Sequence, residues 1–535
     1  MSRWLVSALL LVSAVAFAKP PKLVVFISVD SFGTDVLQRH RSRFKGGFSK
    51  LLNEGAVFPV ARYDTLECVT AIGHTTMVTG AYANRHGIVG NRHFNRSTGK
   101  IEPSFVDLAH PVLEAPIGND DSSPANLLTE TLSDRLRQAT FARGKSIAIA
   151  GKGRSAVAMA GRLGEAWWFH EGVGKFVTGT YYRKEFPTWV KAFNDKKLPD
   201  GYHDKRWELL APAKEYWGED ERPFESDWYG MSKIFPHPLN GGLPSPGAQS
   251  YSALASSPFM SELEVEFVKA AIDGEQLGKD DVTDLLSVSF SAVDRTYHLY
   301  GPTSWEMQDH VLRLDKMIND VIASAEKAAG KGNLLVVLTG DHGGANIPEE
   351  WASLGLEGVR VFPQNLQKGV NEELEKKFGA AGLVAAIEET DVYLDWKAID
   401  AKKLDVVAVR RALATWLSKQ PDIHLAVSRD DLSSVRGLER EVIHAFHPER
   451  SGDVLMVMKP FRVLEFEKAG TSHGAPWSYD ADVPIFLYGK GVKSGVYGIE
   501  VHPIDLAPTV AALMELSPPA SSEGRVLSEA IQLSK

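Results

Sequence analysis

Residues 334–343 read LLVVLTGDHG. Seven apolar or small residues, several of them β-branched, lead into an aspartate and a histidine. Such a run reads as a strand buried on both faces of a parallel sheet, ending in two side chains able to hold a metal. Residues 22–30 repeat the pattern as KLVVFISVD, ending at Asp30. Residues 287–298 read SVSFSAVDRTYH, with Asp294 and His298 just past the apolar stretch. In open α/β sheets ligands bind beyond the carboxyl ends of the strands, so all three segments deliver polar groups to the edge where sites are built. The predicted fold class is α/β: a doubly wound, mostly parallel central sheet flanked by helices, with inserted cap or lid segments.

Two further segments belong with these: ECVTAIGH around Thr70 and GTSHG with His473. Taken singly, each residue has an ordinary reading. Asp30 could cap a following helix, Asp294 and His298 share one helical face, His473 could be a solvated loop histidine, and Thr70 could be an N-cap. Yet a carboxylate at the end of a buried strand is costly without a partner, and Asp341-His342 needs one. Read jointly, three Asp and three His supply two cation sites with room for a substrate oxygen. Two cations about 4 Å apart can clamp the attacking and leaving oxygens of a phosphoryl displacement.

Thr70 is the candidate nucleophile. A threonine hydroxyl is inert at neutral pH until a base or metal lowers its pKa, and no Ser-His-Asp arrangement is visible to do so. A helix running from Thr70 to a stop at Gly80 would present its positive end to an alkoxide or phosphate. Lys152 and Arg154, in KSIAIAGKGR, are expected on one face of a strand, where a point charge and a guanidinium fork suit non-bridging phosphoryl oxygens. Asn91, closing the turn-rich YANRHGIVGN, could donate a third hydrogen bond. Alone, the basic pair would read as solvated.

The chain opens MSRWLVSALLLVSAVAFAKP. Arg3, the short apolar run Trp4–Phe17 and the Ala16-Phe17-Ala18 pattern read as a secretory signal peptide cleaved after Ala18, too short to span a bilayer. A secreted or periplasmic destination follows, with no membrane partner. The formal charge of −9 over 535 residues argues against nucleic acid as a partner. Cys68 is the one cysteine, so no internal disulfide forms. Residues 19–535 read as one catalytic domain with two insertions. The first, about 160–275, is dense in Trp, Tyr, Phe and Pro and suggests an aromatic lid with few regular elements. The second, about 346–460, carries a helix at 371–378, a strand DVYLDW and a helix VVAVRRALATWLSKQ. An amphipathic crossover helix is expected over 305–330.

Together these residues resemble the alkaline phosphatase superfamily, and within it the phosphate-irrepressible bacterial alkaline phosphatases. The likeness runs from residue 22 to PIDLAPTVAALMEL near the end. It implies two Zn²⁺: one held by Asp294, His298 and His473, the other by Asp30, Thr70, Asp341 and His342. It implies that Asn91, Lys152 and Arg154 bind phosphate, that Thr70 becomes phosphorylated, and that the protein is a monomer hydrolysing small phosphate monoesters. The related nucleotide pyrophosphatases and phosphodiesterases share the metals, the threonine and an Asn but lack the Lys-x-Arg pair. Sulfatases need a Cys or Ser motif that the Val-Thr-Ala-Ile after Cys68 does not provide. An exported phosphodiesterase and a non-catalytic metal- or phosphate-binding relative are the alternatives. Asp30-Ser31-Phe32 is a less familiar surrounding for a first metal ligand.

Overall fold

A computed structural model describes residues 19–118 and 121–532, so the expected signal peptide at 1–18 lies outside the described residues. Nine strands form the central sheet. In chain order they are β1 (Leu23–Val29), β2 (Ala56–Arg62), β3 (Ser146–Ala150), β4 (Glu165–His170), β5 (Lys175–Val177), β6 (Asp284–Phe290), β7 (Leu334–Gly340), β8 (Asp482–Gly489) and β9 (Gly495–Val496). Their spatial order is β9-β2-β8-β7-β1-β6-β3-β4-β5.

β1 runs parallel to β6 on one side and to β7 on the other. Every residue of these three strands is buried, which is why they read as continuous apolar runs and not as alternation. β3 and β4 extend the parallel set. β8 is antiparallel to β7, β2 to β8 and β5 to β4, so the sheet is parallel at its centre and mixed toward its rims. Val29 pairs with both Phe290 and Gly340, so the three central strands end level. That register sends Asp30 and Asp341 out of the sheet side by side, with Asp294 just beyond.

Six of the helices matter here: α1 (Gly47–Glu54), α2 (Thr70–Thr79), α3 (Gly153–Ala160), α4 (Pro258–Gly274), α5 (Ala292–Tyr300) and α6 (Trp305–Ala329). α6 is the expected amphipathic helix and packs on α4 and α1. Ser304 caps it by accepting from the Met307 N–H. From α6, the Asp315 carboxylate accepts from the backbone N–H groups of Lys45, Gly46 and Phe48 at 2.6, 2.6 and 2.7 Å, satisfying donors at the start of α1.

Lys152 and Arg154 are not on a strand. β3 stops at Ala150, Lys152 is the N-cap of α3 and Arg154 lies in its first turn. The chain turns at Gly151, where a Cβ would fall 3.0 Å from Ser291 Cβ.

Residues 160–275 are also richer in regular structure than expected. β4, β5 and α4 all fall there, and Trp167 and Trp168 of β4 are buried. Trp167 packs edge-on against Phe186 and Trp189, and Phe267 of α4 stacks on Phe176 at 4.0 Å. The aromatics around Trp167 are core, because α4 and the helix Thr188–Asn194 cover this rim of the sheet, whereas Trp217, Phe224 and Trp228 are exposed and Trp228 and Tyr229 line a pocket with Lys152, Arg154 and His298. Residues 346–460 carry their own four-stranded sheet (Val384–Glu388, Asp391–Leu394, Val454–Met458, Ile423–Ser428) and their own apolar cluster. The helix expected at 371–378 begins earlier, at Pro363.

Candidate active site

The level strand ends bring the candidate ligands together. Asp294 stands in the first turn of α5, with His298 one turn on, its Nε2 3.4 Å from Asp294 Oδ2. The loop after Gly470 brings His473 Nε2 to 3.5 Å from Asp294 Oδ1. The ligand atoms of these three residues all lie within 4.8 Å of one another, and those of Asp30, Asp294 and His342 do so too. His342 Nε2 is 3.3 Å from Asp30 Oδ1 and 3.5 Å from Asp341 Oδ2. The candidate ligands expected from sequence thus meet at one place. Asp294 belongs to both groups and Asp341 stands at the margin of the second, because β1 and β6 are neighbours and the start of α5 overhangs Asp30.

The hydrogen bonds of this cluster fit metal ligation. His298, His342 and His473 each place Nδ1 2.8 Å from a backbone carbonyl, of Thr471, Gly343 and Cys68 respectively. A carbonyl only accepts, so each Nδ1 carries a hydrogen and each Nε2 is the nitrogen left facing the carboxylates, able to offer a metal its lone pair once it gives up any proton. Asp30 Oδ1, Asp341 Oδ2 and His342 Nε2 are buried with no hydrogen-bond partner among the described residues. Buried groups left so are costly unless something else satisfies them. Carboxylate oxygens and imidazole nitrogens suit Zn²⁺ and neighbouring divalent metals.

Charge follows the same logic. Burial works against the Asp30 carboxylate, but the Lys152 ammonium and His342 together outweigh it and hold the group well below the usual range. Burial likewise opposes Asp294, and His298 and Lys152 carry it well below. Asp341 is raised, first by burial and then by Asp30. Burial alone would depress His342, yet Asp341 and Asp30 lift it to about 9. Burial and the neighbouring His342 press His473 down to about 4. The cluster is a site for positive charge.

Thr70 opens α2 and is fully buried, with the Lys152 ammonium 3.5 Å from its Oγ1. The same Nζ donates to Asp30 Oδ2 at 2.7 Å and Asp294 Oδ2 at 2.5 Å. Asn91 Oδ1 accepts from the Ala71 N–H at 3.0 Å, which ties it to the turn carrying Thr70. Asn91, Lys152 and Arg154 line one cavity of about 410 Å³, with Arg92 and Arg295 beside them.

Sequence reading passed over two residues. Ser31 sits at φ 60°, a conformation that strains a non-glycine residue. From there its N–H donates to Asp341 Oδ1 at 3.1 Å and its Oγ to Asp294 Oδ1 at 2.6 Å, joining a ligand just past β7 to one in α5. The position after Asp30 drew notice only as an unfamiliar surrounding. His74 lies one turn after Thr70, its Nδ1 3.1 Å from Asp341 Oδ2. Nothing in ECVTAIGH reveals which way that ring points.

Residues 24–476 match the model of the type I phosphodiesterase / nucleotide pyrophosphatase family. The chain belongs to that family. Among curated relatives within the wider alkaline phosphatase superfamily, alkaline phosphatase PafA of Elizabethkingia meningoseptica is 34% identical over 524 residues, spanning 96% of this chain and 94% of that protein. Alkaline phosphatase PhoV of Synechococcus elongatus is 32% identical over 522 residues, spanning 96% and 93%. The crystal structure of wild-type PafA superposes with a TM-score of 0.91 at 33% identity, covering 96% of this chain and all of that one. No helix among the described residues is long and apolar enough to cross a membrane.

Proposed function

We infer that this chain is a metal-dependent phosphomonoesterase of the alkaline phosphatase type. The family membership and the likeness to PafA and PhoV, both named alkaline phosphatases, support that activity. The observation that carries the choice of monoester is the cavity in which Lys152, Arg154 and Asn91 lie together beside the Thr70 turn. A terminal phosphoryl group with three charged or hydrogen-bonding oxygens needs such a set, whereas a diester offers one oxygen fewer and a second ester group to accommodate.

In this reading Thr70 Oγ attacks phosphorus in line with the departing alkoxide and forms phospho-Thr70, which water then cleaves to release phosphate. Asn91, Lys152 and Arg154 hold the non-bridging oxygens. Asp294, His298 and His473 would hold one Zn²⁺, and Asp30, Asp341 and His342, with Thr70, the other. When bound, such a pair of cations supplies charge for the attacking and leaving oxygens. We further take residues 19–535 as one catalytic domain with inserted segments within about 160–275, outside the sheet strands β4 and β5, and at about 346–460, exported after cleavage behind Ala18 and acting as a monomer on small phosphate esters.

The deciding experiment compares kcat/KM for an aryl phosphate and a bis-aryl phosphate. A clear preference for the monoester, lost together with an acid-stable phosphothreonine in Thr70→Ala, is expected. Equal or better turnover of the diester would favour the phosphodiesterase activity that the family's description also names. Sequencing the N-terminus of the exported protein, expected at Lys19, tests the leader, and light scattering tests the monomer.

A further inference from the structure

Resting on that functional reading, one buried histidine has a place that the ligand set leaves unused. His74 is 0% exposed and lies one helical turn beyond Thr70 on α2. Its ring touches three elements at once. Nδ1 is 2.9 Å from the Thr70 carbonyl oxygen, and the same nitrogen is 3.1 Å from Asp341 Oδ2 at the end of β7. Nε2 is 2.8 Å from Ser289 Oγ on β6. The Thr70 carbonyl can only accept, so Nδ1 carries a hydrogen and donates it there, with its positive end also facing the Asp341 carboxylate.

The helix backbone is held just as closely. A Cβ at Gly73 would fall 2.1 Å from the Asp341 carbonyl oxygen, so α2 sits on the Asp341 backbone without a side chain between them. Asp341 Oδ1 is occupied by the Ser31 N–H, and Oδ2 has no hydrogen-bond partner among the described residues. The orientation of that free oxygen is set by Ser31 on one side and the His74 ring on the other.

We propose that His74 is a positioning residue: its Nδ1–H bonds the Thr70 carbonyl in the first turn of the nucleophile's helix and sets its positive end 3.1 Å from the metal-ligating Asp341 Oδ2, with Ser289 holding the ring in place. It touches neither substrate nor reacting atoms. Groups that orient a ligating side chain typically influence metal affinity or activity by about 10- to 100-fold when removed. Because this one also grips the Thr70 turn, its removal disturbs the distance between nucleophile and ligand, not the phosphate cavity.

Two near-isosteric variants separate the ring's two nitrogens. Asparagine can place an N–H where Nδ1 stands, whereas glutamine reaches the Nε2 position and leaves the Nδ1 position apolar. Zinc affinity of the metal-depleted protein, followed by competition with a chromophoric chelator, is the readout that does not depend on turnover. His74→Ala and His74→Gln should weaken one of the two zinc-binding steps by about 10- to 100-fold and lower kcat similarly with KM little changed. His74→Asn should stay within about threefold of wild type in both. Wild-type zinc binding and kcat in His74→Ala, or a His74→Asn protein as impaired as the alanine variant, would overturn the proposal. If His74→Ala does not accumulate as folded protein, Ser289→Ala carries the test: the ring loses its anchor, one zinc-binding step should weaken severalfold, and unchanged binding overturns the proposal. Zinc binding without hydrolysis of any ester by the wild-type protein would count against the phosphatase reading alone.

Discussion

Gly73 and Asp341 meet backbone to backbone: a Cβ added to the glycine would lie 2.1 Å from the aspartate's carbonyl oxygen and 2.8 Å from its carbonyl carbon. Both contacts are with main chain, which cannot step aside as a side chain can. Gly73→Ala should therefore push α2 away from β7, although alanine is otherwise the better helix former. Overpacking of this kind costs about 1–3 kcal/mol. The expected outcome is a lowered melting temperature together with a loss of kcat larger than stability accounts for, read by thermal unfolding and steady-state kinetics. A variant as stable and active as wild type would show that the helix has slack.

Much of this arrangement is legible from residues alone, and what is not has physical reasons. β1, β6 and β7 announce themselves because strands buried on both faces must be apolar throughout. Thr70–Gly80 is readable because Gly80, at φ 68°, stops the helix in a left-handed turn. Lys152 and Arg154 read as strand residues because the apolar run of β3 does not show that the chain turns at Gly151 into a helix. Trp167 and Trp168 look like a lid until α4 and its neighbours cover them, a fact no local window contains. The sharing of Asp294 between two ligand groups follows from the adjacency of β1 and β6, which is topology and not composition. His74 is invisible for the same reason, since its partners Asp341 and Ser289 lie far along the chain.

Arg154 lines the cavity beside Thr70, and its Nε is buried without a hydrogen-bond partner among the described residues. A guanidinium so placed is available for a phosphoryl oxygen. Arg154→Ala should lower kcat/KM for an aryl phosphate by about 10²- to 10³-fold, the usual loss on removing one donor to developing charge. The bis-aryl phosphate should suffer less, so the ratio of the two rates should narrow. An equal fall on both substrates would place Arg154 outside phosphate recognition.

Stability in acid should depend on His40. This ring is buried, stacks on Trp217 at 5.4 Å, and has no hydrogen-bond partner for either nitrogen among the described residues. Burial, then Arg43 and Arg39, press its pKa from 6.5 down to about 3. The folded state keeps the ring neutral, while the unfolded chain takes up a proton below about 6.5. The unfolded state then binds more protons, so stability is present above that pH and is lost progressively as pH falls toward 3. The slope approaches about 1.4 kcal/mol per pH unit for this one group. His40→Phe keeps an aromatic ring against Trp217 and cannot titrate. Relative to wild type it should gain about 2 kcal/mol between pH 7 and pH 5, measured by denaturant unfolding at each pH. Parallel pH profiles for the two proteins would mean that His40 is reached by water in the folded state.

Metal removal bears on the ligand cluster as a whole. Asp30, Asp294 and Asp341 are buried, the first two in one ligand group with His342 and the third 3.5 Å from His342, and the ammonium beside them is Lys152, paired with two of the three. Divalent metals would take the place of the proton that these carboxylates hold on His342, and the three Nε2 atoms are already oriented for them by backbone carbonyls. Exhaustive dialysis against a chelator should abolish turnover and lower the melting temperature. Zinc added back should restore both, with a stability gain of about 4 kcal/mol at a thousandfold excess over its dissociation constant. Manganese and ferrous iron should bind more weakly at the same ligands, in the order the Irving–Williams series sets. A protein shown by elemental analysis to be free of metal, yet hydrolysing an aryl phosphate at the untreated rate, would mean that these carboxylates and imidazoles meet for some other purpose.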